Sequence, residues 1–155
     1  WLAKACGVFA AGCLFLSIVI ITELVFERYL FKSAITWQTE LVTMLLVAST
    51  FIGSAYVLSV KGHVNMEYLY TFLSKKNITR LKIFTDSLCL IFFLILFYVS
   101  YEITYEAFIK NYNTGTVWGP PLWIPYSSML IGATLMTMSY ISELILHIRK
   151  LKEFK

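Results

Sequence analysis

Charge is what this 155-residue chain has least of: only 14% of its residues are charged, whereas 59% are hydrophobic. A soluble domain of this length exposes a large share of its residues and cannot hide so much apolar surface. The composition therefore excludes an ordinary soluble domain and indicates that lipid is the solvent. The formal net charge of +4 does not indicate nucleic-acid binding, because the basic residues lie between apolar runs.

Motifs that carry enzyme or cofactor chemistry are also missing. The sequence has no phosphate-binding glycine loop, zinc-ligand spacing or nucleophile–base set, so we predict no enzyme, no metal site and no cofactor. Cys6, Cys13 and Cys89 fall inside apolar runs and are interpreted as small buried residues. His63 and His147 both lie at span edges on one side, whereas a bis-histidine haem needs imidazoles that face each other within the helices.

Four long apolar runs predict an all-α integral membrane protein with a single domain over residues 1–155. The predicted transmembrane spans are about 5–26, 39–60, 83–108 and 126–147, each close to the ~20 residues that cross a hydrocarbon core. All three prolines fall between the last two spans, which predicts a loop at 111–125. Residues 64–76 are too polar to cross. Their apolar residues recur at helical spacing and predict a short interfacial amphipathic helix after the second span.

The basic residues predict the orientation of the chain. Ten of the 13 Lys and Arg residues fall at the termini and in the connection between the second and third spans, and three fall on the other side. By the positive-inside rule both termini are cytoplasmic. Trp37, Trp118 and Trp123 then share the outer interface, where aromatic residues are enriched.

Two small-residue pairs and several carboxylates are the candidate contact positions within the spans. Ser49 and Gly53, and likewise Ser128 and Gly132, are four residues apart and favour close helix approach. Ionisable groups at membrane depth are costly, but the candidates all lie within a turn or two of a predicted span end. They are interpreted mainly as interfacial side chains: Glu23, Glu40, Asp86, Glu102, Glu106 and Glu143.

Several motifs resemble the small membrane subunit of tripartite ATP-independent periplasmic (TRAP) transporters, over nearly the whole chain. These are Trp37-x-x-Glu40, the Phe-Ile-Gly at 51–53, the His-Val-Asn-Met at 63–66, and the Pro-Leu-Trp-Ile-Pro-Tyr at 121–126 followed by Gly132. Asn65 departs from the pattern, because an acidic residue is more usual there.

The resemblance implies a scaffold subunit of the bacterial inner membrane without a substrate site of its own. A periplasmic binding protein delivers an organic acid to the membrane complex, and the large membrane subunit moves it with sodium. The candidate contacts with the large subunit are Trp37, Glu40, Ser49, Gly53, His63, Ser128 and Gly132. The candidate periplasmic contacts are Lys32, Trp118 and Trp123.

Two alternatives stay open at this point. One is a self-sufficient four-helix multidrug-type exporter that works as a homodimer and needs a carboxylate within its first helix. Glu23 is the one possible counterpart here, and it lies near the outer end of its span. The other is a structural membrane protein without any transport role.

Overall fold

The described residues form four helices joined in a single row. The structure, a computed structural model, describes residues 2–31, 36–60 and 75–153. The helices are α1 (Leu2–Phe31), α2 (Trp37–Ser59), α3 (Lys75–Ile109) and α4 (Trp123–Glu153). All four are long and apolar enough to cross a membrane, which confirms the predicted number of spans. The predicted amphipathic helix lies outside the described residues, except that residues 75 and 76 already belong to α3.

Helices α1, α3 and α4 extend past their predicted spans at both ends, while α2 begins two residues early and ends at Ser59. The predicted spans covered only the hydrocarbon core, whereas a helix continues into the headgroup region because its backbone hydrogen bonds remain favourable there. The same effect moves the start of α4 to Trp123, so that Pro125 lies in its first turn. That position is tolerated because the first N–H groups of a helix have no intrahelical partner.

The order of the helices across the row is α1, α2, α4, α3. Helix α1 packs along α2, α2 packs along α4, and α4 packs along α3. Among the described helices, α2 and α4 are therefore central, and α1 and α3 form the two edges. The face of α1 towards α2 is buried at spacings of three and four residues, as in left-handed helix pairs: Ala10, Cys13, Ser17, Ile20 and Leu24.

A small core joins the central helices to α3. Ala55 of α2 is buried against Met136 and Tyr140 of α4. Phe93 of α3 stacks on the Tyr140 ring, with ring centroids 5.4 Å apart and planes at 21°. Aromatic packing of this kind links α3 to α4 near the middle of both helices.

The connection at 110–122 is a compact hairpin-like loop between α3 and α4. Helix α3 ends with Asn111 in the left-handed region (φ 48°), and the Tyr112 N–H donates to the carbonyl of Ala107 at 3.1 Å. This is the Schellman type of helix end, which favours residues such as Asn that tolerate a positive φ. We name the side that holds this loop the loop end, and the side where α1 begins and α4 finishes the basic end.

Candidate functional site

The loop end holds a polar network that fixes the 110–122 loop to the start of α2. The Thr114 hydroxyl donates to the Glu40 carboxylate at 3.1 Å, across 74 residues of sequence. Thr114 and Thr116 hydroxyls are 3.0 Å apart, and the Gly119 N–H donates to Thr116 at 3.2 Å. Glu40 also lies in the first turn of α2, where a negative charge is favourable. Glu40 therefore stabilises both the helix start and the loop.

Aromatic rings surround this network at the same level. Trp37 and Trp118 meet edge to face with centroids 6.3 Å apart, and Phe108 and Trp123 do so at 6.1 Å. All three tryptophans remain partly exposed, and Val117 at the loop tip is fully exposed. The structure thus brings Trp37 and Glu40 of α2 against Trp118 and Thr114 of the loop, which lie more than 70 residues away in the sequence.

A second contact at the loop end joins α1 to α2. The Gln38 amide donates to the Glu27 carboxylate at 3.1 Å, and the Gln38 side chain is fully buried. The Gln38 carbonyl oxygen has no hydrogen-bond partner within the described part of the chain. Sequence reasoning missed this pair, because a polar residue at a helix start ordinarily faces water and nothing in the pattern marks Gln38 as buried.

Towards the basic end, a contact between an imidazole and a carboxylate joins α3 to α4. Nδ1 of His147 lies 2.6 Å from the Asp86 carboxylate, and both side chains are largely buried. Each residue is a candidate in the sequence, but no sequence pattern pairs them, because 61 residues separate them. The sequence signal that could have predicted this contact is a carboxylate and an imidazole at comparable depth on two successive antiparallel helices.

Small residues let the backbones of neighbouring helices approach closely. The Ser49 hydroxyl donates to the Ala10 carbonyl of α1 at 3.1 Å. A side-chain carbon built on Gly132 would lie 2.5 Å from the Phe51 carbonyl oxygen of α2, and one on Gly53 would lie 2.9 Å from Cβ of Ala10. These contacts form within the row itself and hold α2 against both of its neighbours.

Comparison with known proteins decides the family. Residues 16–150 match the family of tripartite ATP-independent periplasmic transporters, DctQ component. The chain belongs to this family. The resemblance drawn from the motifs is thereby confirmed, and DctQ proteins are transporter components rather than enzymes. A search of curated proteins gives no match.

The other candidate contact residues of this DctQ chain lie in different environments. Lys32 and His63 lie outside the described residues. Ser128 is buried and donates to the Pro125 carbonyl of its own helix at 2.7 Å. Ser49, Gly53 and Gly132 contact other helices of this chain, so the structure gives them an intrachain role, and their predicted contact with another subunit stays a prediction.

The carboxylates of the DctQ chain differ in whether they have hydrogen-bond or ion-pair partners. Glu106 pairs with Lys110 one turn later, and this hydrogen bond raises the pKa of Lys110. Glu23 on α1 and Glu102 on α3 are exposed and make no hydrogen bond or ion pair within the described residues. Across the same residues, no group of three or more His, Cys, Asp or Glu side chains is arranged to hold a metal ion.

Proposed function

We propose that this DctQ chain is the scaffold subunit of a sodium-coupled, binding-protein-dependent transporter for an organic acid. In this proposal the large membrane subunit carries the substrate and the sodium ions. The DctQ chain is the stationary part against which the large subunit moves. A periplasmic binding protein delivers the substrate to the complex.

The observation that carries the proposal is the single-row arrangement of the helices. A row with α1 and α3 at its edges leaves broad apolar surfaces open, whereas a self-contained bundle would bury its apolar faces around one centre. In the bilayer such a row enlarges the area of the complex. The hydrogen bonds and close backbone contacts between its helices favour a rigid body over a moving one.

The distribution of ionisable groups also supports a scaffold. The central part of each helix has no Asp, Glu, Lys, Arg or His: residues 5–22, 41–59, 87–101 and 124–142. Ion-coupled transport needs ligands or proton carriers within the membrane. A chain without them at mid-depth depends on a partner for the coupling step, so we assign sodium binding to the large subunit.

The loop end is the proposed contact region for the periplasmic binding protein. We propose that both termini are cytoplasmic, as the excess of Lys and Arg near the basic end predicts. The 110–122 loop then faces the periplasm, with Val117 and Trp118 exposed at its surface. The bond between Thr114 and Glu40 holds this surface in one position, which reduces the entropy lost when a partner binds.

Purification of the chain from its native host in mild detergent tests the proposal. We expect a large multi-span membrane protein to co-purify in a fixed ratio. The two proteins reconstituted in vesicles should take up an organic acid only with the binding protein and an inward sodium gradient. The chain alone should transport nothing. Purification without any multi-span partner, or uptake by the large protein at full rate without this chain, would contradict the scaffold role.

The exporter hypothesis makes an opposite prediction for Glu23. This residue is exposed on α1 and lies near the outer end of its span, whereas an exporter of this type needs a carboxylate well within its first helix. A homodimer that confers cation resistance alone, with both properties lost in Glu23→Gln, would replace the scaffold proposal by the exporter.

A further inference from the structure

The two edge helices of the row expose different chemistry. The exposed side of α1 is apolar over most of its length, as at Val8, Phe15 and Ile18. The exposed side of α3 instead carries a strip of hydroxyl and carboxylate groups in its half nearer the loop, at spacings of three and four residues. This tyrosine strip consists of Tyr98, Tyr101, Glu102 and Tyr105.

The tyrosine strip extends well below the level of the tryptophans. The contact between Phe108 and Trp123 fixes the level of the aromatic interface on α3. At 1.5 Å of rise per residue, Glu102 lies about 9 Å and Tyr98 about 15 Å further into the membrane along the helix. Because the hydrocarbon core is about 30 Å thick, Tyr98 is near its middle.

These polar side chains are exposed, and none of them makes a hydrogen bond or an ion pair within the described residues. The tyrosines are 66%, 53% and 57% exposed at Tyr98, Tyr101 and Tyr105. Tyr101 and Tyr105 stack with centroids 6.1 Å apart, which aligns their rings without satisfying their hydroxyls. Glu102 makes no hydrogen bond or ion pair within the described residues. Lipid tails offer no hydrogen-bond partner, so a strip of this kind is costly unless protein covers it.

Glu106 lies one turn beyond Glu102 on the same helix and, unlike Glu102, has hydrogen-bond partners nearby in the chain. Its oxygen accepts hydrogen bonds from Lys110 and from the Tyr112 hydroxyl. No such neighbour reaches Glu102 among the described residues. The group that Glu102 needs must therefore come from outside the described part of the chain.

We propose that the tyrosine strip is the surface on which the large membrane subunit docks, through a helix that places an Arg or a Lys opposite Glu102. This inference rests on the proposed function. Charge complementarity selects this occupant over a second copy of the chain. A symmetric contact through the strip brings two Glu102 carboxylates together, and like charges repel strongly at low dielectric constant.

Site-specific photocrosslinking in the intact complex tests where the large subunit binds. A photoreactive phenylalanine analogue replaces Tyr101, and in a matched control it replaces Phe15, which is also exposed but lies on the apolar side of α1. We expect a covalent adduct with the large subunit from position 101 and none from position 15. Adducts from position 15 alone, adducts with a second copy of this chain, or no protein adduct from position 101 would overturn the proposal.

Paired substitutions test the role of the charge. Glu102→Ala should weaken binding of the large subunit roughly thirtyfold or more, as expected when one partner of a desolvated charge pair is removed. Glu106→Ala is the control and should leave binding unchanged, because Glu106 is satisfied by Lys110. Equal binding by both variants, with both inserted normally, would overturn the assignment to Glu102.

The two proposals fail in distinguishable ways. If the unsubstituted chain purifies without any large subunit, the scaffold function itself is wrong. If the large subunit co-purifies but the adducts and the loss of affinity map elsewhere, the scaffold function stands and the tyrosine strip is wrong as the docking surface.

Discussion

Gly132 offers the sharpest test of the contact between the two central helices. An added Cβ at this position would lie 2.5 Å from the Phe51 carbonyl oxygen, 2.6 Å from its carbon and 2.7 Å from Cβ of Phe51. Two of these neighbours are backbone atoms, which cannot rotate away. In Gly132→Ala the two helices must therefore separate by about an ångström to reach ordinary contact distances.

The expected cost follows from two opposing terms. Overpacking of a close contact costs about 1–3 kcal/mol, and the upper half of that range applies because backbone rather than a flexible side chain must move. Alanine recovers about 1 kcal/mol through its better helix propensity. We expect Gly132→Ala to lose about 1–2 kcal/mol of unfolding free energy.

Gly12 provides the matched control on α1. It lies within a helix, but a Cβ there would meet nothing within 4 Å. Gly12→Ala should therefore be neutral or stabilising by up to about 1 kcal/mol. Gly53→Ala should fall between the two, because its one close neighbour is Cβ of Ala10 at 2.9 Å.

Reversible unfolding of the purified chain in mixed detergent micelles, with increasing dodecyl sulfate, measures these differences. Helix content by circular dichroism and a helix–helix proximity probe should report the same transition. Equal stability of Gly132→Ala and Gly12→Ala would show that α2 and α4 do not approach as closely as described. A Gly132→Ala chain that fails to insert would leave Gly53→Ala as the measurable test of close packing.

Substitutions at three polar contacts give the remaining tests. Asp86→Ala and His147→Ala should each cost about 1–3 kcal/mol, because each leaves a largely buried partner unpaired, and the double variant should cost less than the sum. Strict additivity in the unfolding titration would argue against the pair. Glu40→Ala should release the loop and increase its cleavage by protease to the same degree as Thr114→Val, and unchanged cleavage would contradict the bond between them. Ser49→Ala should cost about 0.6 kcal/mol, the average for an interhelical hydrogen bond in a membrane protein, and a much larger loss would indicate a further role.

The helices could be predicted from the sequence because the bilayer imposes one dominant rule. A run of about 20 apolar residues must satisfy its own backbone and therefore forms a helix. The helix ends were less predictable. Residues such as Arg28 and Tyr29 interrupt the apolar run without ending the helix, and α1 continues to Phe31. Hydropathy identifies the part of a helix that crosses the hydrocarbon core. The full length of the helix also depends on the residues in the headgroup region, which hydropathy does not mark.

The long-range pairs could not be predicted, for a different reason. The bond between Thr114 and Glu40 and the pair of Asp86 with His147 depend on which helices are neighbours in the row. Apolar periodicity carries no such information here, because lipid and protein interiors are similarly apolar and buried faces do not differ clearly from exposed ones. Ser49, Gly53 and Gly132 did mark positions of close helix approach, but their spacing did not identify the partner helix.

The order of the helices across the row has a consequence for how the chain is made. Synthesis releases α1 and α2 first, and these two can pair at once because they are neighbours. Helix α3 comes next, yet among the described helices its extensive partner is α4, which has not been made. Helix α3 must therefore remain surrounded by lipid until α4 is made. Its apolar middle at 88–97 is compatible with that environment. Helix α4 then enters between α2 and α3 and completes the row, so any truncation before Trp123 should leave α3 inserted but unattached.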